Sequence, residues 1–167
     1  MKIMDKWTPM HDTSIVEDVV IFRMNILRGK ILRYQGRFED SLQSLHSAHD
    51  LTKARREIFF DEDFGELIVE LADTLQELGN FSRSEALLRK QLTRDHTSAT
   101  DSILRVSLAE CLFARREFVK AEGVCADLNN RHAIPKMARL RLCITAAKLC
   151  HVQADLSGAF SWWTEAL

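Results

Sequence analysis

Residues 71–92 read LADTLQELGNFSRSEALLRKQL, and their spacing decides the fold. Ala72 and Leu75 lie one turn apart on one face of a helix. Gly79 supplies the left-handed residue that closes a helix. Phe81 is a large apolar side chain placed to staple a second helix onto the first. Ser84 is small, and Leu88 follows it on the same face. The segment therefore reads as two antiparallel helices joined by a short turn.

The same pattern recurs on both sides. Residues 28–49 read RGKILRYQGRFEDSLQSLHSAH, residues 108–129 LAECLFARREFVKAEGVCADLN, and residues 146–167 AAKLCHVQADLSGAFSWWTEAL, at successive offsets of 43, 37 and 38. One column holds Gly29, Ala72, Ala109 and Ala147, small enough for a neighbouring helix to come close. The next holds Leu32, Leu75, Leu112 and Cys150, and the turn column Phe38, Phe81, Phe118 and Leu156. A second small column, Ser41, Ser84, Ala121 and Ala159, precedes Leu45, Leu88, Cys125 and Trp163 by four residues. With Gly, Ala and Ser at roughly a quarter of ordinary usage, two such columns arise by chance about once in 10^5.

The spacing predicts first helices at about 15–34, 65–78, 100–115 and 136–152, and second helices at about 38–54, 82–94, 119–131 and 156–167. Ser14 to Glu17 reads as a capping box, and Pro135 as a first-turn proline. Gly36 and Gly79 suit their turns, whereas Arg116 and Ala154 in the matching place predict turns built differently. Residues 1–14, with Trp7 and Pro9, read as an N-terminal arm. Residues 15–167 read as a single repeat domain with units at about 15–54, 65–94, 100–131 and 136–167.

Composition narrows the function. At 167 residues the chain can bury roughly 68–70% of its unfolded surface and needs no disulfide or metal to fold. Apolar residues are 46% and charged residues 28%, which is globular rather than disordered. Acidic residues number 24 against 23 basic, so the basic excess of a general nucleic-acid binder is missing. Six Gly and two Pro point to helices rather than a sandwich or barrel. Cys111, Cys125, Cys143 and Cys150 fall in apolar helical runs with no CxxC pair, so buried thiols in a reducing compartment, the cytoplasm, are expected. No signal-peptide core or membrane-spanning apolar run is present in the sequence.

The columns resemble the tetratricopeptide repeat family over about residues 20–167. Arg28 departs from the pattern, and the fourth unit lacks both glycine and aromatic at its turn. The segments SEALLRKQL (84–92) and KAEGVCADL (120–128), with the long spacing, are similar to the kinesin-light-chain-like variant. That variant occurs in multidomain regulators with a nucleotide-binding, NB-ARC-like switch domain. The resemblance implies an all-α fold: a right-handed superhelical solenoid of about four helix-turn-helix repeats, with first helices lining a concave groove for a peptide or partner helix.

Carried onto this chain, the groove-facing positions are Arg23, Ile26, Lys30, Arg33 and Tyr34 from the first repeat. The second gives Glu66, Val69, Asp73, Gln76 and Glu77, the third Ile103, Val106, Glu110 and Phe113, the fourth Arg141, Ile144, Lys148 and His151. Their charge order is basic, acidic, acidic, basic. One reading pairs Lys30 with Asp73 and Glu110 with Lys148 inside the chain. The other makes the row a template for a partner of opposite order. Family members that clamp a chaperone's C-terminal carboxylates use Asn and Lys along this row, so Asp73 and Glu110 speak against that ligand.

Catalytic or metal chemistry is not expected. His46 and His49 form HxxH on a polar helix, and solvated side chains are the simpler reading. His11, His96 and His132 read as loop residues without partners. DEDFGE (61–66) lacks calcium-loop spacing and reads as a solvated loop opening a helix. No nucleophile elbow, P-loop, HExxH or dinucleotide fingerprint occurs, so neither enzyme activity nor a cofactor is expected.

Solenoids usually end in a polar helix. Here Trp162, Trp163 and Leu167 make the last helix apolar. Three readings compete: a longer array, pairing with a second copy as a homodimer, or tryptophans folded inward. The expected function is a non-catalytic adaptor binding a protein or peptide, with neither nucleic acid nor membrane as partner. The alternatives are a sensor or autoinhibitory array of a larger nucleotide-switch regulator and a self-associating structural unit.

Overall fold

The apolar columns assemble into paired helices in the computed structural model, which describes residues 13–131 and 133–167. The first hairpin is α1 (Thr13–Tyr34) and α2 (Phe38–Ala54), followed by a short 3-10 turn at Arg56–Ile58. The others are α3 (Asp61–Glu77) with α4 (Phe81–Leu92), α5 (Ser98–Ala114) with α6 (Phe118–Asn129), and α7 (Lys136–Val152) with α8 (Leu156–Ala166). All eight helices among the described residues belong to this scheme, with no strand, and the hairpins stack into a solenoid. Each second helix packs on its own first helix, and α2, α4 and α6 also pack on the first helix of the next hairpin.

The two small columns lie where the helices of a hairpin meet. Ala72, Ala109, Ala147, Ser41, Ser84 and Ala121 are fully buried. The serines also bond across the junction: Ser41 Oγ donates to the Gly29 carbonyl at 2.8 Å and Ser84 Oγ to the Ala72 carbonyl at 3.0 Å. A small side chain thus permits the approach, and its hydroxyl finds an acceptor at the closest point. Leu45, Leu67, Leu88, Leu104, Leu112 and Leu142 fill the core above and below.

All four turns are built alike, which corrects the expectation for two of them. Gly36, Gly79, Arg116 and Ala154 have φ of 75°, 72°, 63° and 62°. Each turn closes with the same pair of backbone bonds, such as Arg116 N–H to the Phe113 carbonyl and Glu117 N–H to the Leu112 carbonyl, both 2.9 Å. Closing both carbonyls outweighs the roughly 1–2 kcal/mol cost of the left-handed backbone for a residue with a Cβ. Arg116→Gly is therefore expected to stabilise the chain by about 0.5–1 kcal/mol, net of the glycine's greater unfolded freedom. A thermal melt should show Tm higher by roughly 2 °C; a lower Tm would mean that the Arg116 side chain contributes more than its backbone costs.

Several local expectations shift. Ser14 lies inside α1 rather than capping it, and its hydroxyl accepts from Arg55 at 2.8 Å. Pro135 precedes α7 as its cap, its carbonyl accepting from Arg139 N–H at 2.8 Å. DEDFGE is not a loop: α3 begins at Asp61, with Asp61, Glu62 and Asp63 in its first turn. Gly65 belongs there because an added Cβ would sit 2.7 Å from a Thr100 methyl. Trp7, Pro9, His11 and His132 lie outside the described residues, as does all of the arm except Thr13 and Ser14, which α1 contains.

Candidate functional site

The groove is built where the first helices run side by side. It encloses about 300 Å3 and is lined by Arg33 from α1, Asp73, Gln76 and Glu77 from α3, Glu110 and Phe113 from α5, and Thr145 and Lys148 from α7. Of the predicted groove residues, Ile26, Val69 and Val106 are instead buried in the core. Tyr34 is exposed, with the Arg33 guanidinium 5.2 Å from its ring centre. Arg23, Lys30, Glu66, Ile103, Arg141, Ile144 and His151 also lie outside this lining, His151 exposed on α7.

The charges are largely matched within the chain, with partners other than those predicted. Arg23 pairs with Asp63 and with Glu66, the latter at 3.1 Å. Lys30 Nζ lies 2.6 Å from Glu66 and 3.3 Å from Glu70, not on Asp73. Arg33 reaches Glu70 at 2.8 Å. Glu110 is taken by Arg141, not Lys148, and the same guanidinium lies 3.5 Å from Asp73. The reason is register: Glu66 and Glu70 stand one turn apart on α3, opposite the Lys30–Arg33 turn of α1. Glu70 was missed because it occupies an otherwise core-facing position.

Asp73 has the most perturbed environment. Burial pushes its carboxyl from 3.8 up to about 6; Arg141 opposes this, while Glu110 and Glu70 push the same way. Burial works against the Arg141 charge, but the bonds and charge of Glu110, then Asp73, outweigh it and raise its pKa. Glu77 and Lys148 are exposed and carry no ion pair among the described residues. Phe113 is half-buried, tilted against Phe118 at 5.5 Å between ring centres. The groove thus offers a ligand two open charges of opposite sign, the Gln76 amide and part of an aromatic ring, on walls held by internal ion pairs.

The histidines and cysteines have structural surroundings. His46 is exposed, whereas His49 is half-buried and stacks on Phe64, 6.4 Å between ring centres. His96 is not a free loop residue: its ring is buried between the Asp61 carboxylate at 2.8 Å and the Gln91 carbonyl at 2.9 Å. All four cysteines are free, and burial pushes the Cys125 thiol up to about 12. No cluster of three metal-ligating side chains occurs among the described residues. Of Trp162, Trp163 and Leu167 on the C-terminal helix, Trp162 turns inward, half-buried with Arg139 5.7 Å from its ring centre. Trp163 and Leu167 are exposed.

The architecture is that of a tetratricopeptide-like helical repeat. A solved structure of pilF from Pseudomonas aeruginosa, a tetratricopeptide-repeat protein, is similar at a TM-score of 0.52 and 17% identity, covering 86% of this chain. The chain spans 59% of that protein's length. This likeness carries the helical-repeat fold and does not support the kinesin-light-chain-like subtype. No protein-family model and no curated protein sequence matches the chain. Among the described residues no helix is long and apolar enough to cross a membrane.

Proposed function

We propose that the chain is a non-catalytic protein–protein interaction module, a cytoplasmic adaptor that receives an extended peptide or partner helix in the groove. The observation that carries this reading is the convergence of Glu77, Phe113 and Lys148, from α3, α5 and α7, on one groove whose walls the ion pairs brace. A braced wall lowers the ordering cost of binding, and the two open charges select orientation more than they add affinity.

Reversing Asp73 or Glu110 would disturb Arg141 and so report on folding. Glu77→Lys, Lys148→Glu and Phe113→Ala together leave the net charge and the Arg141 cluster intact. Affinity capture from source-cell extract with the native chain should retain a protein that the triple variant binds at least tenfold more weakly, about 1.4 kcal/mol, with helicity unchanged. Equal binding by both chains would move the binding surface off the groove. A native chain that captures nothing would speak against an independent adaptor and for an array serving its own larger regulator.

A further inference from the structure

α1 is apolar on two faces. Phe22, Ile26 and Leu32 enter the core, while Val20, Met24, Leu27 and Ile31 form a second stripe that stands open, Met24 at 64% exposure. The repeat columns show what covers such a stripe elsewhere. The positions matching Met24 are Leu67, Leu104 and Leu142; those matching Ile31 are Thr74, Cys111 and Leu149; none exceeds 3% exposure. They are buried because α2, α4 and α6 pack on α3, α5 and α7. α1 has the same face, and the described residues hold no second helix before it.

α8 is the complementary case, a second helix with no first helix after it among the described residues. Leu156, Phe160, Trp163 and Leu167 repeat at four, three and four residues and are exposed, Phe160 at 74% and Trp163 at 45%, where Leu45 and Leu88 in the Trp163 column are fully buried. Inside the stack the Phe160 column reaches the following first helix, through Glu85 to Arg115 and through Glu122 to Gln153, the latter at 3.2 Å. The Leu167 column does the same where His49 stacks on Phe64. Carried across a junction between copies, this register sets Phe160 beside Gln35 and Leu167 beside Ile21, itself 47% exposed.

We propose that a second copy of this chain docks its α8 on α1, so that the solenoid continues from copy to copy through the same interface that joins its own hairpins. Each face presents four large apolar side chains at successive spacings of four, three and four residues, so the two stripes match in length and chemistry. The contact is head-to-tail, so it does not close at a dimer.

Sedimentation of the 167-residue chain should show mass rising with concentration through multiples of 19.2 kDa. Met24→Glu removes the acceptor and Phe160→Glu the donor, at exposed positions where circular dichroism should show unchanged helicity. Each variant alone should stay monomeric, and an equal mixture should form a dimer of twice 19.2 kDa, since each supplies the face the other lacks. A native chain that stays monomeric up to about 100 μM, where a micromolar contact is filled, overturns the proposal. So does a Met24→Glu chain that dimerises alone, which is pairing of α8 with α8. A Phe160→Glu chain that dimerises alone overturns it too, as pairing of α1 with α1.

Discussion

Arg141→Met is expected to lower the stability of the folded chain by about 3 kcal/mol at pH 7, because removing one member of a largely desolvated ion cluster leaves the others uncompensated. Arg141 bridges Glu110 on α5 and Asp73 on α3, and nothing else in that cluster offsets both carboxylates. The loss should shrink as the pH falls toward 5, since the stranded Asp73 carboxyl, already pushed up by burial, can then neutralise by taking up a proton. The native chain carries a milder version of the same effect. Asp73 titrates near 6 when folded and near 3.8 as a free side chain. Between those values the folded state binds the extra proton, so this group's stabilising contribution is complete below about 3.8 and is lost as the pH rises through 6. The direction is opposite to that of an ordinary salt-bridged carboxylate. The rise corresponds to at most ~3 kcal/mol, which the side chain's partial exposure reduces to about 1–2 kcal/mol. Asp73→Asn should therefore stabilise the chain at pH 7 by about that amount and flatten its urea-unfolding profile between pH 4 and 6. A destabilised Asn variant with an unchanged profile would show that the Asp73–Arg141 attraction outweighs burial.

Gly29→Leu should cost about 2–3 kcal/mol even after the roughly 1 kcal/mol gained in helix propensity. An ideal Cβ on Gly29 would stand 2.6 Å from Leu45 Cγ and 2.7 Å from Cδ2, and Leu45 is fully buried. Ala72 faces the same column with its Cβ in place, so the first hairpin packs its helices more tightly than the second. Leu45→Ala alone should cost about 3 kcal/mol through the cavity it leaves. In the double variant the new side chain fills that cavity, so the combined loss should fall short of the sum by about 2 kcal/mol. Urea unfolding of the four chains measures this directly; strict additivity would mean that the two positions do not share a contact.

The fold was legible because the small columns report a physical necessity. Two helices can close on each other only where Gly29, Ala72, Ala109 and Ala147 leave room, and such positions recur whatever the partner is. Helix α2 falls at 38–54 as the periodicity predicts, whereas α3 starts four residues early because Asp61 is tied to His96 and Thr97 across the next turn. That tie is tertiary, and no local spacing carries it. The turns at Arg116 and Ala154 differ from expectation for a related reason: propensity weighs one residue, while the backbone bonds that close each turn involve four. At the groove, charge order was readable but pairing was not, because it depends on the small rotation between successive helices. The open face of α1 did leave a signal. Val20, Met24, Leu27 and Ile31 stand beside Phe22 and Ile26, so the helix is apolar on two faces, which marks a helix covered on both sides.

The ion pairs along the groove also bear on the mechanics of the stack. They tie successive first helices together on the inner side of the curve, so their strength helps to set its radius. α3 and α5 present Asp73 and Glu110 to each other there, and a single guanidinium from α7 draws the two together. Curvature in a solenoid is the difference in spacing between inner and outer edges. Because these side chains are mostly desolvated, salt screens them little, and the inner edge keeps its spacing as ionic strength changes. Arg141 is therefore the clasp of that inner edge, one side chain that holds three successive first helices at a fixed spacing.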